Sequence, residues 1–480
     1  MKKKNLIVIL VDQWRNKTIG YNNFEVITPN FDAFHMESVC FQNATTACPL
    51  CSPCRAVLFT GNYPVKTGVY GNCMTGYDIA LRPTDKCLSD ILYQNGYHTA
   101  YIGKWHLDEP EKNYCEAPVS GASGWDAYTP PGNKRHHFEY WHAYNAWNEH
   151  LHQHYWENTP KKIMAEEWSP IHETNKAMEY IQQVKDEPFA LFLAWNPPHT
   201  PFEQVPQKYL DLYKDKILHM DNVKEDVFAN HTGEQGFLGS GQMQEKTRQY
   251  YACVSGLDEQ FGRLVKYLKE NNLYDDTLIL LTADHGEHLG SHGLVGKHTW
   301  YEESVNVPMM LRFPPKLQPH SNNSCINTIH LMPTLLSLLD ITPLEMHKQN
   351  DISKALINKE TIQENWGFIS GYISRDVFIE AFHKMGVQPT DTGWRAVRDP
   401  RWTYVIFRGY MPNQEPELLL YDRQNDPQQR HPYNLLQQPY TAQAWKLHKK
   451  LMGHLSKENP GFAIWAEEML RLRGIGYTED

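Results

Sequence analysis

The chain has 480 residues, and its 46 Lys and Arg against 56 Asp and Glu give a formal net charge of −10 at pH 7. Proteins that bind nucleic acid or anionic membranes present a basic face, so this acidic balance argues against both kinds of partner. The length permits a large core and more than one structural unit.

The chain starts with a basic stretch and a short apolar run, Asn5–Val11, which ends in Asp12 and Gln13. The run is at the short edge for a signal peptide and lacks a small-residue cleavage site, and no later stretch is long and apolar enough to span a membrane. We therefore predict a buried parallel strand. The nine cysteines are odd in number and scattered, which fits a reducing compartment, so we expect a cytoplasmic protein.

The segment 48–61 places three cysteines at a spacing of three, Cys48, Cys51 and Cys54, with Arg55 four residues after Cys51. Pro53 suits the first turn of a helix, whose N-terminus favours an anion, and Arg55 adds a fixed positive charge. These features indicate an activated residue facing an anionic ligand. Zinc or iron–sulfur ligation and simple burial of the thiols remain alternatives for this segment.

A second apolar strand, predicted over 97–102, is followed by Lys104, Trp105 and His106. Lys104 and His106 are two residues apart, so in extended structure their side chains point to the same face. Such a pair can bind an oxyanion and move a proton. The alternative is an exposed lysine beside a packed histidine.

The segment 135–157 is rich in histidine and aromatic residues. Its members are His136, His137, His142, His150, His152, His154, Tyr140, Trp141, Tyr144, Trp147, Tyr155 and Trp156. The spacing matches no tight zinc pattern, whereas aromatic faces suit sugar rings. We interpret the segment as an insert that forms a wall of a substrate pocket, with a tryptophan-rich surface segment as the alternative.

Two more apolar strands, over 189–195 and 277–282, complete the pattern. The first leads to His199, and the second leads to Asp284 and His285, with Lys297 and His298 beyond. Helices alternate with the four strands, and the carboxyl ends of parallel strands meet at one edge where ligands bind. The pattern predicts an α/β fold, a doubly wound mixed sheet with helices on both faces and one active site along its edge.

From about residue 380 the chain changes to short strands separated by turns and then a final helix over 442–456. We therefore predict two units. The first is a catalytic α/β domain over 1–379, and the second is a smaller α+β subdomain with an antiparallel sheet over 380–480.

Together these motifs resemble the type I sulfatases of the alkaline-phosphatase superfamily. The resemblance rests on C-x-P-x-R at 51–55 with Thr60-Gly61, on Gly-Lys-Trp-His-Leu at 103–107, on Pro-His-Thr-Pro-Phe at 198–202, on Asp-His-Gly at 284–286 and on Lys297. It implies an alkaline-phosphatase-like fold. It argues against the zinc and iron–sulfur interpretations of the cysteines.

The resemblance further implies that a separate maturation enzyme oxidises Cys51 to Cα-formylglycine. One hydroxyl of the hydrated aldehyde attacks the sulfur of a sulfate ester, and the second then expels sulfate. A divalent metal, Ca²⁺ by resemblance, is expected at residue 51 with Asp12, Gln13, Asp284 and His285. Gln13 and His285 depart from the commonest pattern, and a nitrogen ligand suits Mn²⁺ or Zn²⁺ better than Ca²⁺.

The resemblance also assigns roles to the remaining polar residues. Arg55, Lys104 and Lys297 are expected to hold the diol and the sulfate oxygens, with His106 as the base and His199 beside the leaving oxygen. We expect four further residues to contact the substrate, namely Trp105, Trp141, His142 and His298.

We therefore predict a sulfatase that acts on a sulfated carbohydrate, and in the cytoplasm on a mono- or disaccharide. A phosphonate monoester or phosphodiester hydrolase of the same superfamily is the first alternative. A non-enzymatic metal-binding protein that uses the cysteines and the histidine-rich insert is the second. The only macromolecular partner expected is the maturation enzyme, with no nucleic acid and no membrane.

Overall fold

A computed structural model of the chain describes residues 3–220, 222–223, 226–227, 238–373, 376–437 and 441–475. Its strands are β1 Asn5–Val11, β2 Val39–Thr45, β3 His98–Lys104, β4 Tyr140–Tyr144, β5 His154–Tyr155, β6 Ile163–Met164, β7 Phe189–Trp195, β8 Asp226–Val227, β9 Leu238–Gly239, β10 Thr277–Ala283, β11 Met309–Arg312, β12 His320–Asn327, β13 Gly367–Gly371, β14 Trp394–Arg398, β15 Trp402–Phe407, β16 Glu417–Asp422 and β17 Tyr433–Asn434. Its α-helices are α1 Pro29–Met36, α2 Cys51–Thr60, α3 Pro64–Thr67, α4 Leu88–Gln94, α5 Ser169–Val184, α6 Gln207–Leu210, α7 Ser240–Glu270, α8 Glu302–Val305, α9 Leu331–Leu338, α10 Ser353–Asn358, α11 Asp376–His383, α12 Ala442–Glu458 and α13 Pro460–Leu472.

The large sheet has the strand order β12-β2-β11-β10-β1-β7-β3-β4. The five strands from β10 to β4 run parallel to their neighbours, and β11 is antiparallel to both β10 and β2. Every residue of β1, β7 and β10 is buried, as expected for central strands covered on both faces. The predicted doubly wound mixed sheet is confirmed, and Asn5–Val11 is its central strand.

Helices cover the sheet in two packed groups. One group contains α1, α5 and α7, with α5 lying on β7 and β3. The other contains α2, α4 and α9. Within the described residues no helix combines the length and the apolar character needed to cross a membrane.

The C-terminal unit is a five-stranded antiparallel sheet in the order β13-β14-β15-β16-β17, and α12 packs on β14 and β15. The predicted antiparallel sheet is therefore confirmed. The C-terminal sheet begins with β13, which pairs with β14 from Gly367 to Gly371, before the predicted boundary at residue 379. The division of the chain into two units at that boundary stays a prediction.

Candidate active site

The polar residues that follow the parallel strands meet at one edge of the large sheet. The pairing aligns Val11 of β1 with Ala283 of β10 and with Trp195 of β7. The next residues, Asp12, Asp284 and Asn196, therefore begin at the same level. All three are fully buried, so their polar atoms must find partners within the protein.

Helix α2 points its first residue at this edge. Cys51 begins the helix, and Arg55 lies one turn later on the same side. The Arg55 guanidinium donates to Asp12 Oδ2 at 3.0 Å and to Asp284 Oδ2 at 3.2 Å, and it also donates to the Lys104 carbonyl at 2.6 Å. Arg55 therefore ties α2 to the ends of β1, β3 and β10.

Four buried side chains that can act as metal ligands converge beside Arg55, namely Asp12, Cys51, Asp284 and His285. We refer to them as the donor group. His285 Nε2 lies 3.2 Å from Cys51 Sγ and 3.7 Å from Asp12 Oδ1. One ligand atom from each residue lies within 4.8 Å of the others. Two carboxylates, an imidazole nitrogen and the side chain of residue 51 are a donor set that fits a divalent cation.

The electrostatics of the two carboxylates agree with this fit. Burial alone would raise the pKa of Asp12, but the charges of Lys104 and Arg55 hold it well below its usual value. The pKa of Asp284 is raised by burial and by the neighbouring Asp12 charge. A divalent cation between the two would remove that repulsion and favour the ionised form of both.

Lys104 and Lys297 bring positive charge to the site. The Lys104 ammonium lies 2.7 Å from Asp12 Oδ2 and donates to Asn196 Oδ1 at 3.1 Å. The Lys297 ammonium donates to Gln13 Oε1 and lies 3.1 Å from His199 Nε2. Both lysines are buried, so their charges act without screening by solvent.

Gln13 faces this cationic side. Its Nε2 donates to Glu287 Oε2 at 2.6 Å, which leaves Oε1 for Lys297. Its backbone N–H donates to Asp284 Oδ1 at 3.1 Å. Gln13 therefore adjoins the donor group, and its expected part as a metal ligand remains a prediction.

The two expected catalytic histidines are buried and are held in the neutral form. Burial and the charges of Lys104 and Arg55 lower the pKa of His106 well below its usual value, against the opposite effect of a hydrogen bond with the Cys73 backbone. Burial and the charges of Lys297 and Lys104 lower the pKa of His199 in the same way. His199 Nδ1 donates to the Thr200 carbonyl at 2.9 Å, so Nε2 is an acceptor.

Three of the four residues expected to contact the substrate lie in the interior, and their contact with substrate stays a prediction. Trp105 and Trp141 belong to the main hydrophobic core, where their rings pack edge-to-face at 5.4 Å. His142 lies in the interior of β4 and is fully buried between Glu157 and His172. His298 follows Lys297, and its carbonyl accepts from Trp394 Nε1 at 3.3 Å, so its contact with substrate remains a prediction.

Two further residues, which the sequence patterns did not single out, position the side chains of the site. Asn196 connects Lys104 to the Trp147 carbonyl, to which its Nδ2 donates at 2.9 Å. Glu287 holds Gln13, and its Oε1 accepts the N–H groups of Leu289 and Gly296 at 2.9 and 2.7 Å. Asn196 follows β7 directly, so the rule that identified Asp12 and Asp284 also pointed to it.

A second group of metal-type side chains, Cys87, Asp90 and His136, is explained by a helix cap. Asp90 Oδ2 accepts the Cys87 N–H at 2.7 Å at the start of α4, and Oδ1 accepts from His137 at 2.6 Å. Such a reciprocal cap satisfies the first donors of a helix. This group therefore carries no separate metal assignment.

A doubly wound sheet with a buried donor group for a divalent cation and three cationic side chains at its carboxyl edge defines a hydrolase of anionic esters. The chain matches the family model described as Sulfatase over residues 4–341, and the model described as N-sulphoglucosamine sulphohydrolase, C-terminal, over residues 290–458. The chain therefore belongs to the sulfatase family of the alkaline-phosphatase superfamily, and it is a sulfatase.

Relatives of known name agree with this assignment. The chain is 32% identical over 459 residues to the endo-4-O-sulfatase of Bacteroides thetaiotaomicron, and the aligned region covers 88% of this chain and 87% of that protein. It is 30% identical over 450 residues to the ulvan-active sulfatase of Formosa agariphila, with 91% and 78% covered. A solved Bacteroides thetaiotaomicron structure, described in connection with the metabolism of multiple glycosaminoglycans, has a TM-score of 0.83 at 29% identity and covers 99% of this chain and 100% of that one.

Proposed function

We propose that the protein releases sulfate from a sulfated glycan and that residue 51 acts as a formylglycine made from Cys51. The observation that carries this proposal is the position of Cys51, whose Sγ lies 3.2 Å from His285 Nε2 and 3.7 Å from Asp12 Oδ1, in the carboxyl group that Arg55 and Lys104 also contact. The names of the relatives, an endo-4-O-sulfatase and an ulvan-active sulfatase, support a glycan substrate.

The environment of Cys51 argues against the thiol itself as the nucleophile. Burial and the nearby Asp12 carboxylate raise the pKa of Cys51 to about 12, so the unmodified residue is a neutral thiol at pH 7. A neutral thiol is a weak nucleophile and a weak metal ligand. In this structure Sγ occupies the place that the hydroxyl oxygens of the hydrated aldehyde would take, and those hydroxyls supply the nucleophile.

Asp12, Asp284, His285 and residue 51 would hold the divalent cation, which supplies positive charge that polarises the attacking hydroxyl and a sulfate oxygen. The proposed ion is Ca²⁺, with Mn²⁺ or Zn²⁺ as the alternative that the nitrogen ligand favours. Removal of metal with a chelator and reloading with each ion separately tests this choice. Full activity with Mn²⁺ and none with Ca²⁺ would overturn the assignment of calcium.

The cationic side chains bind negatively charged groups, and the histidines transfer protons. Lys104 and Lys297 neutralise the sulfuryl oxygens, and Arg55 keeps Asp12 and Asp284 in place. Because Lys297 donates to His199 Nε2, the pair holds a proton that can pass to the leaving oxygen. His106, neutral and buried beside Lys104, is suited to take a proton from residue 51 when sulfate leaves.

We further propose that the substrate is a mono- or disaccharide and that the protein is cytoplasmic. All nine cysteines lie in the described residues, and none forms a disulfide, which fits a reducing compartment. Sulfate release from one sulfated saccharide at increasing chain length tests the size. Higher kcat/KM on a long polymer than on the disaccharide would contradict this part of the proposal.

Mass spectrometry of the peptide containing residue 51, from protein made in its native host, tests the nucleophile directly. Conversion to the aldehyde removes sulfur and lowers the peptide mass. An unmodified thiol in fully active protein would refute the proposed chemistry. Rates on an aryl sulfate and an aryl phosphonate, measured side by side, separate the sulfatase from the phosphonate hydrolase that the same signature allows.

A further inference from the structure

Trp125 is a partly exposed tryptophan beside the candidate active site. Its side chain is 42% exposed, whereas Trp105 and Trp141 are buried in the core. The indole lies nearly parallel to the ring of His106, with an interplanar angle of 25° and 6.3 Å between ring centroids. Trp125 therefore offers an accessible aromatic surface directly beside an expected catalytic residue.

Asn145 fixes the backbone of Trp125. Its Nδ2 donates to the Trp125 carbonyl at 2.9 Å and to the Asp108 carbonyl at 3.0 Å, and its Oδ1 accepts the Asp108 N–H at 3.1 Å. Asp108 lies two residues after His106. One fully buried amide side chain thus joins the segment that carries His106 to the turn that carries Trp125, which sets the separation of the two rings.

The next residue, Asp126, is anchored by the histidine-rich insert. Asp126 Oδ1 accepts the N–H groups of Asn145 and Ala146 at 2.9 and 3.2 Å, and Oδ2 lies 2.6 Å from His154 Nε2. Asp126, Asn145 and His154 are all buried. The insert therefore acts as a support for the turn that carries Trp125, and its own aromatic residues are mostly interior.

A rigid, half-exposed indole beside the reacting centre suits one chemical class of ligand. The face of a pyranose ring presents C–H groups and is apolar, whereas its edge carries hydroxyls, and an aromatic ring matches that face. Support by buried hydrogen bonds lowers the entropy lost on binding.

We propose that Trp125 is the platform on which the sugar ring next to the sulfate ester stacks. The inference rests on the proposed function, since it presumes a glycan sulfate as substrate. It assigns recognition of the sugar to Trp125 and leaves recognition of the sulfuryl group to Lys104 and Lys297. The two contributions can be separated by experiment, because inorganic sulfate carries the sulfuryl group that the lysines bind and lacks the sugar ring that Trp125 would bind.

The test compares Trp125→Ala and Trp125→Phe with the wild-type enzyme on a sulfated disaccharide. Trp125→Ala should raise KM about tenfold or more with a much smaller change in kcat, and Trp125→Phe should recover most of the loss because it keeps an aromatic face. The inhibition constant of inorganic sulfate should stay unchanged in both variants. Trp445→Ala, which truncates a half-buried tryptophan of α12 in the C-terminal unit, is the matched control and should leave KM unchanged.

Four results would overturn the proposal. A wild-type KM in Trp125→Ala would show that the indole does not bind the sugar. An equal weakening of sugar and inorganic sulfate would show a distorted site, as would a loss of thermal stability that tracks the change in KM. If wild-type enzyme cleaves aryl sulfates but no sulfated saccharide, the proposed glycan substrate fails, and the platform fails with it.

Discussion

Replacement of Lys297 by methionine tests the electrostatics of the site most directly. Methionine keeps much of the length of the side chain and removes its charge. A sulfuryl oxygen bound by the ammonium would lie about 3 Å from it, and two unit charges at that separation interact by about 5 kcal/mol at an effective dielectric constant of about 20. A sulfuryl oxygen gains only part of a charge in the transition state, so we expect kcat to fall about 10²- to 10³-fold.

The same substitution should change the pH dependence. Burial and then the Lys297 charge lower the pKa of His199, because both disfavour the protonated imidazole. Removal of the charge favours protonation, so the pKa of His199 rises toward its ordinary value. The acid limb of the profile of kcat/KM against pH should therefore move to higher pH.

The assay is sulfate release from a sulfated saccharide across the pH range, with Lys354→Met, at an exposed position of α10, as the control. The variant should remain folded, because Gln13 keeps its hydrogen bond to Glu287 and the substitution removes a buried charge. A near-wild-type kcat together with an unmoved acid limb would refute the assignment of Lys297 to the reacting centre.

Three other changes test separate parts of the molecule. Cys51→Ala should abolish turnover and leave the thermal unfolding midpoint close to that of the wild type; measurable sulfate release would contradict the assigned nucleophile. Asn196→Ala should lower kcat about tenfold or more, since Lys104 loses the amide that orients it, and an unchanged kcat would show that Asp12 alone positions the lysine. Burial lowers the pKa of His448 to about 4, so folding excludes a proton that the unfolded chain binds, and stability falls as pH drops from about 6.5 to 4 by up to about 3 kcal/mol. In His448→Gln this part of the loss should vanish from denaturant unfolding curves, and an unchanged pH dependence would contradict the burial argument.

The sequence predicted the site edge well because one rule governs it. Polar residues after buried parallel strands must converge, and Asp12, Lys104 and Asp284 do so. The chain leaves the extended conformation after β3, because His106 has a φ of 53°. The period of a strand therefore does not decide where the side chains of Trp105 and His106 point, and Trp105 lies in the core beside Phe59.

Trp125 was beyond prediction from the sequence for a physical reason. It lies in an irregular segment, where no periodicity decides which side chain is exposed, and its position depends on Asn145 and on His154, which are distant in the chain. The histidines of the insert suggested metal or substrate contacts because their partners were unknown. The partner of His154, Asp126, is brought next to it only when the chain folds.

The charge of the site explains why selectivity must come from outside it. Three buried cations, Arg55, Lys104 and Lys297, face two buried carboxylates, Asp12 and Asp284, and a divalent cation would add further positive charge. Such a site suits any monoanionic ester, and sulfate monoesters and phosphonate monoesters both carry one negative charge at neutral pH. Coulombic attraction alone therefore distinguishes neither the acid group nor the alcohol. Discrimination between alcohols requires contacts with the leaving group, and Trp125 is the exposed aromatic residue that the fold fixes beside His106. A variant at Trp125 should accordingly alter the preference among sulfated alcohols, whereas a variant at Lys297 should slow all of them alike.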